Sequence, residues 1–204
     1  MTQDELRELK RARTDYPVHD LIANRWSPRA FSDRVPDRTV LASLFEAARW
    51  APSSYNEQPW RFIVGVKGEG DTHERIVECL ADVNRTWAPR APVLMIAATR
   101  MYFSFNDRPN RHAFHDVGLC LGNLILQATS LGLHVHLMAG FDPERARTRF
   151  LIPAQFEPVV AGAIGYLGDP DQLPGPLRQK ELAPRERRPL SEIVYSGEWG
   201  MALF

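Results

Sequence analysis

The chain predicts an α+β fold in which a central sheet is flanked by helices, and three observations carry that expectation. Helical and strand-like patterns alternate along its 204 residues without internal repeats or low-complexity tracts. The run Ala91-Pro-Val-Leu-Met-Ile-Ala-Ala98 is apolar throughout after a proline, as in a strand buried on both faces. A hydrophobic content of 44% supports one sizeable core, so a single domain spanning residues 1–204 is the expected organisation.

The N-terminus is charged rather than apolar, and Thr2 with Glu5 fits a capping box, so neither a signal peptide nor a membrane span is expected. A helix ends near Asn24, before Arg25-Trp-Ser-Pro-Arg29. Asp37 is placed to cap a second helix whose Val40, Leu41, Leu44, Phe45 and Ala48 share one 3.6-period face, and Pro52 ends it. Ser53, Ser54, Asn56 and Gln58 follow in a loop with far more hydrogen-bonding capacity than a connecting turn requires. Pro59 and Trp60 close that loop, and residues 61–66 read as a strand.

Beyond it, Gly65-Val-Lys-Gly-Glu-Gly70 lacks G-x-G-x-x-G spacing and reads as a surface turn, and residues 72–83 read as a helix. The helix at 113–131 carries Val117, Leu121, Leu124, Ile125 and Ala128 on one side and little charge on the other, which predicts burial all round. Residues 134–138 form a short strand, and Ala139-Gly-Phe-Asp-Pro-Glu144 turns into a helix capped by Asp142 with Pro143 in its first position. Val159 to Gly168 reads as a further strand. Asp169 to Pro189, rich in proline and charge, reads as a surface connection, and the apolar tail 190–204 is expected to pack on something.

Twenty-five basic and 25 acidic side chains cancel, so no net field favours nucleic acid or an anionic membrane. Cys79 and Cys120 lack C-x-x-C spacing and read as reduced core thiols of a cytoplasmic protein. The pairs His112/His115 and His134/His136 have no evident third ligand, so no metal site is expected.

Two arginines flanking Ser27 suit an anionic, planar ligand, because a guanidinium forks onto a phosphate or a carbonyl edge. Arg25-x-Ser-x-Arg29, the string Trp50-Ala-Pro-Ser-Ser-x-Asn-x-Gln-Pro-Trp60 with Phe62-Ile-Val64, a Gly140-Phe-Asp turn and a basic C-terminal segment resemble the FMN-dependent nitroreductase family over roughly residues 19–200. The Pro-Ser-Ser string is the specific part. The resemblance implies a mixed sheet, a domain-swapped homodimer built around the 113–131 helix, and a C-terminal arm on the partner subunit.

For the site, the resemblance implies non-covalent FMN, with Arg25, Trp26 and Ser27 at its phosphate and ribityl end and Arg29 near flavin N1 and the C2 carbonyl. Pro52, Ser53, Ser54, Asn56 and Gln58 would reach the flavin from the other protomer. Gly140, after Ala139, would donate its N–H to N5, and Gly140 and Arg29 are the candidate catalytic groups. Of the basic cluster, Arg185 and Arg187 match the family's phosphate contacts, with Arg188 as the alternative, and Asn84 is a candidate to line the open flavin face. The family often has Glu where this chain has Ala139, which bears on substrate and nicotinamide preference. The implied reaction is ping-pong electron transfer from NAD(P)H to a small acceptor such as a quinone or nitroaromatic, aided by a positive charge that stabilises the reduced ring. Flavin fragmentation, reductive dehalogenation and non-catalytic FMN binding are the rival readings.

Overall fold

In the computed structural model, which describes residues 1–204, four strands form one sheet: β1 (Trp60–Val66), β2 (Val93–Arg100), β3 (His134–Met138) and β4 (Phe156–Gly165). Their order is β1-β2-β4-β3 and every pairing is antiparallel. Within the chain this corrects the expected mixed sheet. A strand that is apolar on both faces reports covering layers on both sides, not the direction of its neighbours.

Those layers are helical: α1 (Gln3–Lys10), α2 (Asp20–Asn24), α3 (Arg38–Arg49), α4 (Thr72–Cys79), α5 (Asp82–Arg85), α6 (Ala113–Ser130), α7 (Pro143–Phe150) and α8 (Gly175–Leu182). Side chains alternate across β2. Val93, Met95 and Ala97 pack on Leu41, Leu44 and Ala48 of α3 and on Val117, Leu121 and Leu124 of α6. Leu94 and Ile96 pack on the opposite side with Ile76 and Cys79 of α4 and Ala146 of α7. Burial of each larger aliphatic contributes roughly 1.5–3 kcal/mol.

Local signals held at several ends. Thr2 and Glu5 close the capping box on α1, and the Asp142 carboxylate accepts from the Arg145 N–H with Pro143 opening α7. Asp37 occupies the cap position of α3 without a side-chain bond. The expected 72–83 helix is two helices, parted where Leu80 bridges Phe141. β2 ends at Arg100, and β4 runs from Phe156 to Gly165 rather than 159–168, with Pro158 tolerated at a register shift opposite Ala97 and Ala98. The 169–189 connection contains α8, whose Glu181 is buried.

The largest difference concerns α6. Ala113, Asp116, Val117, Cys120, Leu121, Leu124 and Ala128 face inward, but Phe114, Gly118 and Leu119 are exposed, so the helix is buried along one stripe only. The tail also lies open. Tyr195 bridges Ala202, the Phe204 ring lies 6.2 Å from Tyr16, and Ile193, Trp199, Met201 and Leu203 remain exposed. Cys79 and Cys120 are buried free thiols, and burial pushes the Cys120 thiol up to about 12. No helix is long and apolar enough to cross a membrane.

Gly65 is a packing requirement, because a Cβ there would stand 2.4 Å from the His73 backbone nitrogen at the start of α4. Gly65→Ala should therefore cost about 1–3 kcal/mol, read as a lower urea midpoint with an unchanged m-value.

Strand β3 makes stability pH-dependent. Burial pushes both His134 and His136 down to about 4, below the value of about 6.5 expected in an unfolded chain. The unfolded chain binds more protons between those limits, so this stability is complete above about pH 6.5 and is lost as pH falls toward about 4. The slope should reach about 1.4 kcal/mol per pH unit for each histidine. Urea midpoints that stay flat across this range would contradict it.

Candidate functional site

At the C-terminal end of α2 the chain leaves the helix in extended geometry at Arg25 and enters the Trp-Ser-Pro-Arg turn. The α2 end is closed from far along the sequence: the Arg185 guanidinium donates through Nη2 to Ala23 O at 2.6 Å and through Nη1 to Arg25 O. Arg25 Nη1 donates to Ser27 Oγ at 3.2 Å. A cavity of about 240 Å³ opens here, lined by Arg25, Trp26, Ser27, Arg29, Arg185 and Arg187 together with Lys10 and Glu181. Trp26 is buried and its Nε1 has no partner.

The charge balance of this cavity is one-sided. None of Arg25, Arg185 and Arg187 forms an ion pair with a carboxylate. Burial lowers the pKa of Arg25, with Arg187 adding repulsion, and burial followed by Arg25 and Arg187 lowers that of Arg185. Arg185 Nε is a buried donor without a partner. Such a cluster is stabilised by an anion. Arg188 points elsewhere, toward Glu192 at 3.8 Å, and lines an adjoining cavity of about 740 Å³ that shares Arg25, Arg185 and Arg187.

The one carboxylate lining the smaller cavity is Glu181, which the sequence reading passed over. Its Oε1 accepts from the N–H groups of Arg29 at 2.8 Å and Ala30 at 3.1 Å, and its Oε2 lies 3.0 Å from Arg29 N and 4.0 Å from Arg29 Nη1. Burial raises its pKa, opposed by those two backbone N–H groups and by Arg29 and Lys10. The available signal was Pro176 near a helix start with Leu177 and Glu181 at i, i+4 spacing, hidden within a proline-rich stretch. Lys10, buried 4.9 Å from the Trp26 ring centroid, donates to the carbonyls of Lys180 and Ala183 and so ties α1 to the end of α8.

From β3, His136 Nδ1 bonds Pro28 O at 2.8 Å, and its ring lies 4.6 Å from that of Trp87. The Ala139-Gly140 turn follows. Gly140 O accepts from Ala81 N and from Asn84 Nδ2, both at 2.9 Å, and a Cβ at Gly140 would stand 2.8 Å from Asn84 Nδ2. Asn84, the candidate to line an open flavin face, props this turn. Phe141 N–H bonds Ala139 O and Asp142 N–H bonds Cys79 O, leaving the Gly140 N–H without an acceptor in the chain. Ala139 is exposed.

The Pro52–Gln58 loop lies apart from the arginine cavity, contributing no residue to its wall. Tyr55, Asn56 and Gln58 have φ of 53°, 55° and 51°, left-handed geometry that non-glycine residues rarely adopt. The loop is held by Gln58 N to Ser53 Oγ at 3.0 Å and by Ser54 N to Oδ2 of the buried Asp116 at 2.9 Å. Asp116, the one carboxylate of α6, is thus the loop's anchor. Ser53 and Ser54 are half-buried, while Pro52, Asn56 and Gln58 are exposed. The Glu57 carboxylate accepts from Ser104 N and Oγ, and the rings of Tyr55, Phe103 and Phe105 cluster at centroid distances of 5.3–5.8 Å.

The chain matches the nitroreductase family profile over residues 22–166. It is similar to the crystal structure of an FMN-containing oxidoreductase, with 35% identity, a TM-score of 0.87 and coverage of 92% of this chain and 95% of the other. A nitroreductase family protein of Clostridium difficile 630 shares 27% identity at a TM-score of 0.65, covering 85% of this chain and 94% of the other. A Streptomyces coelicolor protein provisionally named as an NADH dehydrogenase/NAD(P)H nitroreductase is 29% identical over 167 residues, 71% of this chain and 82% of the relative. The Arg-x-Ser-x-Arg turn, the Pro-Ser-Ser loop and the Gly140 turn all lie within the matched fold, and the chain belongs to the nitroreductase family.

Proposed function

We propose that this protein is an FMN-dependent, NAD(P)H-oxidising oxidoreductase that acts as a homodimer on small electron-poor acceptors such as quinones or nitroaromatics. The observation that carries the reading is the set of uncompensated guanidiniums of Arg25, Arg185 and Arg187 around one cavity. Its chemistry fits the phosphate of FMN. The Gly140 N–H without an acceptor fits a flavin ring nitrogen, and the orphaned Trp26 Nε1 and Arg185 Nε add donors at the cradle. When bound, the flavin supplies two-electron chemistry, taking hydride from NAD(P)H and passing the electrons to the acceptor in a ping-pong cycle.

In this reading Arg25, Ser27 and Arg187 hold the phosphate, while Arg185 shapes the cradle by closing α2. Trp26 walls the same cavity, and Arg188 contacts the phosphate only from the outer cavity. Arg29 supplies fixed positive charge that stabilises the reduced, anionic ring. Gly140 presents its N–H from a turn held by Asn84, and the exposed Ala139 leaves space beside it. Tyr55, Phe103 and Phe105 offer stacking surface for a planar acceptor.

Assembly follows from the parts one chain leaves apart. Pro52, Ser53, Ser54, Asn56 and Gln58 complete the partner's flavin site, since their loop does not close over their own arginine cavity. The exposed α6 face, where Gly118 and Gly122 leave open space, lets two copies of the helix approach closely, and the 190–204 arm crosses to the partner. The alternative is an FMN-binding module without turnover. Anaerobic mixing of the flavoprotein with NADH or NADPH tests this, because a flavin that stays oxidised would favour the alternative.

Arg25→Ala should weaken FMN binding about tenfold to a hundredfold, the worth of one charge-assisted phosphate contact of roughly 1.5–3 kcal/mol. Equilibrium dialysis checks it, and unchanged affinity would remove Arg25 from the site. Gly118→Tyr should leave the circular dichroism spectrum intact but yield a monomer of 23.2 kDa in sedimentation. A wild-type protein already monomeric at micromolar concentration would sink the dimer.

A further inference from the structure

Glu181 places a negative charge in the wall of a cavity whose other charged residues are all cations, which opposes anion binding there. Its place there calls for another role. The side chain is only 1% exposed, and its oxygens are taken up by the Arg29 and Ala30 N–H groups rather than aimed into the cavity. Removing a buried carboxylate that serves one buried and one half-buried donor leaves both unsatisfied. Its charge also faces the Arg29 guanidinium at 4.0 Å, while Lys10 lies close enough to interact electrostatically. The residue stands just upstream of Arg185 and Arg187, so one anchor fixes both the Arg-x-Ser-x-Arg turn and the start of the basic C-terminal run.

We propose that Glu181 is a positioning residue for Arg29, fixing its backbone through paired N–H bonds and tempering the positive charge that Arg29 presents to the flavin. The inference rests on the flavin reading given above. It assigns opposite electrostatic signs to two neighbouring residues. Arg29 draws the cofactor toward its reduced, anionic form. Glu181 restrains that pull, so the potential reflects the pair rather than the arginine alone.

Glu181→Gln retains an oxygen for both N–H groups and removes the charge. In the purified flavoprotein it should keep FMN and shift the reduction equilibrium about tenfold toward reduced flavin, a rise of about 30 mV for a two-electron couple. Arg29→Met should shift it the other way. In the apoprotein, hydrogen exchange at the Arg29 and Ala30 amides should be slow, stay slow in Glu181→Gln and become fast in Glu181→Ala. An unchanged or lower potential in Glu181→Gln, with Arg29→Met lowered, would overturn the role of Glu181 and leave the flavin reading standing. Fast exchange of both amides in the wild-type apoprotein would also overturn it, and a wild-type protein that binds no flavin would remove both.

Discussion

Strand β2 has no solvent-facing side, and much of the molecule is arranged around that constraint. With Val93, Met95 and Ala97 on one face and Leu94 and Ile96 on the other, the strand is stable only when helices cover both. α3 and α6 supply one layer, α4 and α7 the other, and β1 and β4 satisfy its backbone at either edge. Polar chemistry is thereby pushed out to the ends of strands and helices. The Gly140 turn after β3, the loop before β1 and the turn after α2 all occupy such places.

Those turns are rigid for reasons that differ in kind. The Arg25–Arg29 turn is braced by charge and hydrogen bonding from remote segments: Arg185 on the α2 carbonyls, Glu181 on two N–H groups and His136 on Pro28 O. The Arg185 bonds reach carbonyls at the end of α2, and the others serve backbone groups of the turn beyond it. The Gly140 turn is held by Asn84 and Ala81 through one carbonyl. The Ser53–Gln58 loop instead stores backbone strain, with its left-handed residues kept in place by Asp116 and Ser53. A pre-set cradle of this kind lowers the ordering cost of binding a cofactor.

Charge is distributed unevenly despite a formal net charge of +0. Many surface arginines have carboxylate partners close in sequence, as in Arg7–Asp4, Arg49–Glu46 and Arg85–Asp82. Such exposed pairs contribute little to stability. Three unpaired guanidiniums, those of Arg25, Arg185 and Arg187, meet at one cavity, and composition alone conceals that asymmetry.

The sequence by itself determined what depends on near neighbours. Its periodicities placed α3, α6, β1, β2 and β3 within a few residues, its caps placed the starts of α1 and α7, and its Pro-Ser-Ser-x-Asn-x-Gln-Pro-Trp string identified the family. Tertiary structure alone decided what depends on residues far apart in the chain. Glu181 meets Arg29 across 152 positions, Arg185 meets Ala23 across 162, and Ser54 meets Asp116 across 62. No local pattern encodes such pairings, because a buried polar group is recognised by what it bonds and not by its flanking residues. The outer side of α6, expected to be buried, is exposed within the chain for the same reason: glycine and leucine there look alike to hydropathy whether water or another helix covers them.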